Sequence, residues 1–239
     1  MKNFIKYLLQ KLFGYHRYLF FFAKFKTKLF KLDKKEKGFF YFIKLIPDDG
    51  IILDIGANIG LTAYHLAKSK PNCKIKAFEP IESNYTVLKK HCSNFKNIEF
   101  HLCALGEKEG IAEMVLPIVS NVKMQGLSHV KHSSIKEFNE GNLYKVELKT
   151  LDSFEFDNVV AIKMDVENYE QFVLKGARET LIKSKPVIYL ELWENENRAN
   201  CFTMLKEVGY QINVLNYTNL EPFNESKHKK EQYFICTAN

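Results

Sequence analysis

The hydrophobic pattern of the chain changes once, near residue 50. Ahead of that point Phe4, Leu8, Leu12, Tyr15, Leu19 and Phe22 recur at a period of roughly 3.6 residues, while Lys2, Lys6, Lys11 and Lys24 fall off the stripe. This spacing predicts amphipathic helices. Beyond it, short apolar runs alternate with helical spacing. Ile51–Ile55 reads as a strand ending in a glycine turn, and Ile59–Lys68 as a helix. Lys74–Phe78 is a second strand, closed by Glu79-Pro80, and Ser83 can cap a helix reaching about Cys92. Ile98–Cys103 is a third strand; Gly110–Leu116 and Tyr144–Leu148 are extra strands around a polar loop. Val159–Met164 and Val187–Leu192 are the fourth and fifth core strands, with a helix through Gln171–Leu181 between them. A helix over Ala199–Val208 precedes Ile212–Asn216 and Tyr233–Thr237, which have no helix between them and read as an antiparallel pair at one sheet edge. The alternation predicts an α/β fold. Its doubly wound, mostly parallel sheet has seven strands and an antiparallel edge strand, and N-terminal amphipathic helices precede it. Such sheets bind ligands beyond the carboxyl ends of their strands, at the switch point.

The strongest local signal lies at that point: Asp54-Ile55-Gly56-Ala57-Asn58-Ile59-Gly60, between a strand and a helix. Gly56 permits a tight turn or close approach of a ligand to the backbone, and Gly60 lets the next helix pack closely. A dinucleotide fingerprint needs glycine where Asn58 and Leu61 stand, so a nicotinamide or flavin enzyme is disfavoured. A P-loop needs Gly-Lys-Ser/Thr, which is absent. Glu79 closes the next strand, nineteen residues after Gly60. A carboxylate there can accept hydrogen bonds from both ribose hydroxyls of a nucleoside. Asp54 can orient the loop or accept from a ligand amine. Alone, either acid would be read as a cap or a solvated group; their placement at successive strand ends points to a ligand.

Charge divides the chain at the same place as the hydrophobic pattern. The net charge of +7 is the sum of +10 over residues 1–46 (twelve Lys/Arg against two acids) and −3 over the remaining 193. Those 46 residues also hold fourteen of the 33 aromatics. The division is therefore a basic, aromatic-rich helical leader, 1–46, and a near-neutral domain, 47–239. The longest uncharged runs in the leader, Tyr18–Ala23 and Gly38–Ile43, are six residues each. That is short of a secretory h-region and far short of a membrane span. The leader is either a helical cap on the domain or a peripheral anchor on an anionic membrane. No arginine cluster supports a nucleic-acid arm, so no nucleic-acid partner is expected. Five cysteines, odd in number and without a C-x-x-C pair, fit reduced thiols. The expected location is cytoplasmic, with peripheral contact on the inner face of a membrane as the extension of the anchor reading.

The acid–glycine turn together with the second-strand acid resembles the S-adenosylmethionine site of the Rossmann-like methyltransferases. Further segments narrow the resemblance to the FkbM-type methyltransferases. These are Leu53–Gly60; Phe78-Glu79-Pro80 with Asn84 and Leu88; Ala104-Leu105-Gly106; Leu151-Asp152-Ser153; and Ile162-Lys163-Met164-Asp165-Val166-Glu167 with Glu170, Leu174, Gly176 and Ala177. Pro186 and Glu191 close the set, which spans about 60% of the chain. Asn168 stands where the family usually has the glycine of Asp-x-Glu-Gly; Asn tolerates left-handed dihedrals. The resemblance implies transfer of a methyl group from S-adenosylmethionine to oxygen, commonly a sugar hydroxyl of a glycan or glycoconjugate. A lipid or small natural product is the alternative acceptor, and a non-catalytic donor-binding protein the alternative class. The implied donor site comprises Asp54, Gly56, Ala57, Asn58, Gly60, Thr62, Glu79, Pro80, Asn84, Ala104 and Asp165.

Methyl transfer to oxygen needs the acceptor aligned, its proton removed and water kept out. Asp165, Glu167 and Glu191, at the ends of the fourth and fifth strands, open onto one rim. Asp165 or Glu167 is the expected base, and the others are expected to bind acceptor hydroxyls. A purely structural role at a helix start competes for Asp165, Glu167 and above all Glu170. A divalent metal on Asp165, Glu167 and Glu191 is a lesser reading, and no metal is expected. His129 and His132 read as solvated loop histidines, with Ser128 and His129 as alternative lining of the donor or acceptor site. Tyr189 and Trp193 read as packing residues, or as stacking partners for a sugar face.

Overall fold

The computed structural model describes residues 2–133, 135 and 137–238. Three helices come first: α1 (Lys2–Phe13), α2 (Tyr15–Phe30) and α3 (Lys37–Leu45). The domain then runs β1 (Ile51–Ile55), α4 (Leu61–Ser69), β2 (Lys74–Phe78), α5 (Glu82–His91) and β3 (Ile98–His101). A five-stranded insertion follows: β4 (Ala104–Leu105), β5 (Gly110–Val119), β6 (Val122–Lys123), β7 (His129–Val130) and β8 (Gly141–Lys149). The chain returns through β9 (Val159–Met164), α6 (Glu170–Lys175), α7 (Arg178–Ser184) and β10 (Val187–Glu191). It ends with α8 (Glu196–Glu207), β11 (Tyr210–Asn216), β12 (Asn219–Pro222), α9 (Glu225–His228) and β13 (Tyr233–Ala238).

The main sheet has the order β12-β11-β13-β10-β9-β1-β2-β3. The five strands from β3 to β10 are parallel. The chain winds outward from β1 in one direction and restarts beside it at β9, so the switch point lies between β1 and β9. The predicted seven strands all form, and the sheet adds an eighth. β12 folds back on β11 through a turn at Tyr217, whose φ is 53°, and its Pro222 is tolerable because β12 is an edge. The expected antiparallel pair near one edge forms as β11 and β13, although the short helix α9 lies between them in the chain, where no helix was expected. β13 inserts between β10 and β11, antiparallel to both.

The single helix expected through Gln171–Leu181 is two helices. Gly176 lies so close to Gly106 that a Cβ there would come 2.0 Å from the Gly106 carbonyl oxygen, and the helix breaks at this contact. His129 lies in strand β7 rather than in a loop.

Side-chain alternation separates the two sheet faces. Leu53, Ile162, Leu190 and Phe234 join one core with Val173, Leu181 and Leu205 from α6, α7 and α8. Ile52, Ala161, Tyr189 and Ile235 join the other, with Phe39 and Phe42 of α3 and Leu66 of α4. The leader is thus packed on the domain. Leu19 and Ala23 of α2 bury against Ile59 and Val87. The Gln10 side-chain amide donates to the Lys123 carbonyl and accepts from the Lys123 backbone N–H, each at 3.2 Å. The Thr27 hydroxyl lies 2.8 Å from Nε2 of His91. The predicted leader stripe divides at α1: Leu19 is buried, but Phe4, Leu8 and Leu12 are exposed. Periodicity marks an apolar face; it does not say what covers it.

Candidate active site

Alternation brings one set of charged residues to the leader's face of the sheet. Asp54 is two residues beyond Ile52, Lys163 and Asp165 follow Ala161, and Glu191 follows Tyr189. In the strand register Lys163 stands opposite Asp54 on one side and Tyr189 on the other. Asp54 is wholly buried; its Oδ2 accepts from the Thr62 hydroxyl at 2.8 Å and its Oδ1 lies 3.5 Å from Lys163 Nζ. Lys163 is also buried and donates to the Gly56 carbonyl at 3.0 Å, with Asp165 Oδ2 at 3.9 Å. Burial disfavours the Lys163 charge, but Asp54, Asp165 and Glu191 outweigh it and raise its pKa. Burial raises the Asp54 pKa against the pull of Lys163. This pair forms the floor beneath the glycine turn.

The turn itself is shaped by close backbone crossing. Gly56 has φ 76°, and a Cβ on it would come 1.9 Å from the Asp165 carbonyl oxygen. Only glycine fits there. Gly56 and Ala57 both donate to the Phe78 carbonyl, at 3.1 and 2.9 Å. Asn58 follows in the left-handed region at φ 50°. Its backbone N–H donates to Glu79 Oε2 at 2.9 Å. Glu79 Oε1 accepts from the Ile81 N–H at 2.9 Å and from the Asn84 amide at 3.3 Å. Burial pushes Glu79 up to about 7 despite these donors.

Two cavities open above the strand ends. The smaller, about 130 Å³, is lined by Gly56, Asn58, Glu79, Pro80, Asn84, Ala104, Ser128, Asp165 and Glu167, with Phe78, Cys103 and Met114 as its apolar wall. The larger, about 420 Å³, is lined by Ala57, Thr62, Lys163, Asp165, Glu191, Tyr189 and Tyr233 from the domain, and by Lys6, Phe22, Phe30, Glu36 and Phe39 from the leader. Gly56, Asn58, Gln125, Gly126 and Asp165 border both. The insertion supplies the roof: Asn58 donates its side-chain amide to the Gln125 carbonyl at 3.1 Å. Asp54 and Gly60 border neither cavity. Gly60 starts α4 at φ 89°, where a Cβ would meet Leu88 at 2.9 Å.

The carboxylates gather around Asp165. Burial, then Asp165, raises Glu191 to about 8. Glu167 is held well above the usual carboxylate range by burial and by the Asp165, Glu191 and Glu170 charges. Glu167 and Asn168 both take left-handed dihedrals, φ 54° and 72°, a backbone region that favours glycine and that asparagine tolerates. Glu170 has a different role. Its Oε1 accepts from the Val166 N–H at 3.0 Å and its Oε2 from the Asn197 amide at 2.7 Å, which ties the loop after β9 to α8.

Other expected site residues divide. His129 is buried with its ring nitrogens near Leu127 O and Asn139 Oδ1, and His132 packs on Phe172 at 4.5 Å between ring centroids. Tyr189 both packs, stacked on Phe42 and Tyr233, and borders the larger cavity. Trp193 borders a separate cleft with Glu167 and Asn168. Among the described residues no three or more His, Cys, Asp or Glu side chains are grouped to hold a metal ion. All five cysteines are free and buried. Sequence reasoning assigned no role to Lys163 or Glu36. A lysine inside an apolar core strand was the available signal for the first; the second enters only through packing of the leader.

A glycine turn crossed by a backbone carbonyl, a second-strand acid beside it and a doubly wound sheet with an inserted antiparallel last strand carry the pattern of the Rossmann-like methyltransferases. The methyltransferase FkbM domain family matches residues 54–212. The chain belongs to that family. It is 24% identical over 192 residues to Methyltransferase 1 of Beauveria bassiana, covering 73% of this chain and 77% of the relative. It is 25% identical over 205 residues to the methyltransferase sdnD of Sordaria araneosa, covering 72% and 78%. Among solved structures, the methyltransferase FkbM of Methylobacillus flagellatus superposes with a TM-score of 0.52 at 18% identity, over 79% of this chain and 44% of that one, and shares the fold.

Proposed function

We propose that this methyltransferase binds S-adenosylmethionine in the smaller cavity, against the Gly56–Asn58 turn, and methylates a sugar hydroxyl held in the larger one. The observation that carries the reading is the position of Asp165, which borders both cavities. The smaller cavity suits a nucleoside. It pairs a buried carboxylate, Glu79, with apolar walls, and its Asn58 Oδ1, Asn84 Oδ1 and Ser128 Oγ are buried without protein partners. The donor supplies a methyl group already activated by a positive sulfonium. Glu79 accepts from ribose hydroxyls; Asn58, Asn84 and Ser128 offer further polar contacts.

The chain's own work at the acceptor is positioning and proton transfer. Asp165 takes the acceptor hydroxyl proton as general base, a role worth about 10²–10⁴ in rate. Glu191, raised to about 8, carries a proton near neutral pH and can both donate to and accept from neighbouring hydroxyls in the larger cavity. That capacity fits a polyhydroxylated acceptor. Glu167 borders the smaller cavity instead, off the rim it was expected to share with Glu191. The Gln125–Leu127 turn roofs both cavities and limits water. A second reading, an amphiphilic acceptor, is favoured by the apolar wall of Phe22, Phe30 and Phe39. The test is a screen of glycans and glycolipids with methyl-labelled donor and mass analysis of the product. A methyl ether on a sugar oxygen supports the reading. Label on nitrogen or carbon, or none on any acceptor although the donor binds, contradicts it.

A further inference from the structure

The inner side of the leader is committed to the domain, but its outer side is apolar and uncovered. On α2, Phe21 and Phe25 are each 60% exposed and Leu29 is 40% exposed. Spaced four residues apart, they fall on one face of the helix. Arg17, Lys24 and Lys28 are exposed alongside them. On α1, Phe4 and Leu12 are exposed as well. Between the two helices runs a groove of about 400 Å³ lined by Leu9, Phe13, Tyr18, Phe21, Phe22 and Phe25. Single exposed apolar residues need no explanation, but a contiguous face marks an interaction surface.

Charge selects the occupant. Residues 2–30 carry seven Lys/Arg and no Asp or Glu. A second copy of the chain would set this positive surface against its like. No helix among the described residues is long and apolar enough to cross a membrane. An amphipathic helix with an aromatic and leucine face flanked by basic residues suits the plane of a lipid interface. We propose that α1 and α2 dock the enzyme on an anionic lipid bilayer. Phe21, Phe25 and Leu29 enter the boundary between headgroups and acyl chains, and Arg17, Lys24 and Lys28 meet lipid phosphates. Lys6 and Phe22 of the same helices border the larger cavity, so the docking element and the acceptor cavity share a wall.

The test is flotation of the full chain with phosphatidylcholine vesicles and with vesicles containing phosphatidylglycerol, at low and high salt. The expected result is flotation with the anionic vesicles only, weakened by salt. Both the Phe21→Ser/Phe25→Ser and the Lys24→Glu/Lys28→Glu variants should bind at least about tenfold more weakly. Their thermal unfolding and their calorimetric affinity for S-adenosylhomocysteine should match the wild type, since none of these residues lines the cavities. The proposal is overturned by three results: no flotation with anionic vesicles, flotation of both variants at the wild-type level, or a wild-type dimer that the phenylalanine variant converts to a monomer. The readout is lipid binding, so it stands or falls independently of the methyl acceptor.

Discussion

Lys163 and Asp54 face each other in register on adjacent parallel strands, buried, with 3.5 Å between Nζ and Oδ1. The same ammonium donates to the Gly56 carbonyl, so one buried charge supports the turn against which a ligand rests. Removing it strands the Asp54 carboxylate. Lys163→Met is expected to lower stability by about 3–5 kcal/mol, whereas Lys163→Met combined with Asp54→Asn recovers part of that loss. Urea unfolding of the two single variants and the double variant measures the coupling.

Glu79 gives a pH dependence. Burial lifts its pKa from 4.5 to about 7 in the folded chain. The folded state therefore keeps a proton that the unfolded chain has released. This contribution to stability is full below about pH 4.5 and is lost as pH rises through about 7. Donor binding has the opposite sign. Ribose hydroxyls donate to the ionised form, so affinity for S-adenosylhomocysteine should rise between about pH 6 and about pH 8. Calorimetry across that range should show the rise in the wild type and a flat profile in Glu79→Gln.

Asn168 holds φ 72°, in the left-handed region that favours glycine, and its Oδ1 accepts from the Asn195 amide at 2.7 Å. Asn168→Gly keeps the dihedral and loses one exposed hydrogen bond. Its stability should stay within about 1 kcal/mol of wild type. Asn168→Val should cost more, since a β-branched residue is strained there. Thermal unfolding ranks the three proteins.

Most of the sheet was legible because the central strands β1, β9 and β10 are mainly apolar runs and the outer β2 and β3 alternate apolar with polar residues. Glu79, Asp165 and Glu191 were legible because strand ends converge at a switch point. The rest depends on contacts between distant segments. β12, Asn-Leu-Glu-Pro, has a single aliphatic residue and ends in proline, and becomes a strand only because β11 turns back at Tyr217. The break between α6 and α7 follows from Gly176 touching Gly106, seventy residues earlier. Asp54 proved to be a floor residue off the cavity walls, which residue type alone does not reveal. The outward turn of Phe4, Leu8 and Leu12 follows from α1 packing through other residues, among them Gln10 on Lys123.

Glu36, at the start of α3, borders the larger cavity with Asp165, Tyr189 and Glu191. Burial, with Asp33 next, raises its carboxyl to about 7. Glu36→Gln should raise the acceptor KM about tenfold and leave S-adenosylhomocysteine affinity unchanged, as expected for one hydrogen bond to the acceptor. Steady-state kinetics with saturating donor, paired with calorimetry, separates the two effects.

The division of labour between Glu79 in the smaller cavity and Asp165 at the junction is tested most directly by one paired measurement. Donor affinity and single-turnover methyl transfer are recorded for wild type, Glu79→Gln and Asp165→Asn. Glu79→Gln should bind the donor at least about tenfold more weakly. Asp165→Asn should bind it within a few-fold of wild type yet transfer methyl at least about a hundredfold more slowly. Wild-type turnover in Asp165→Asn, or wild-type donor affinity in Glu79→Gln, would contradict the assignment.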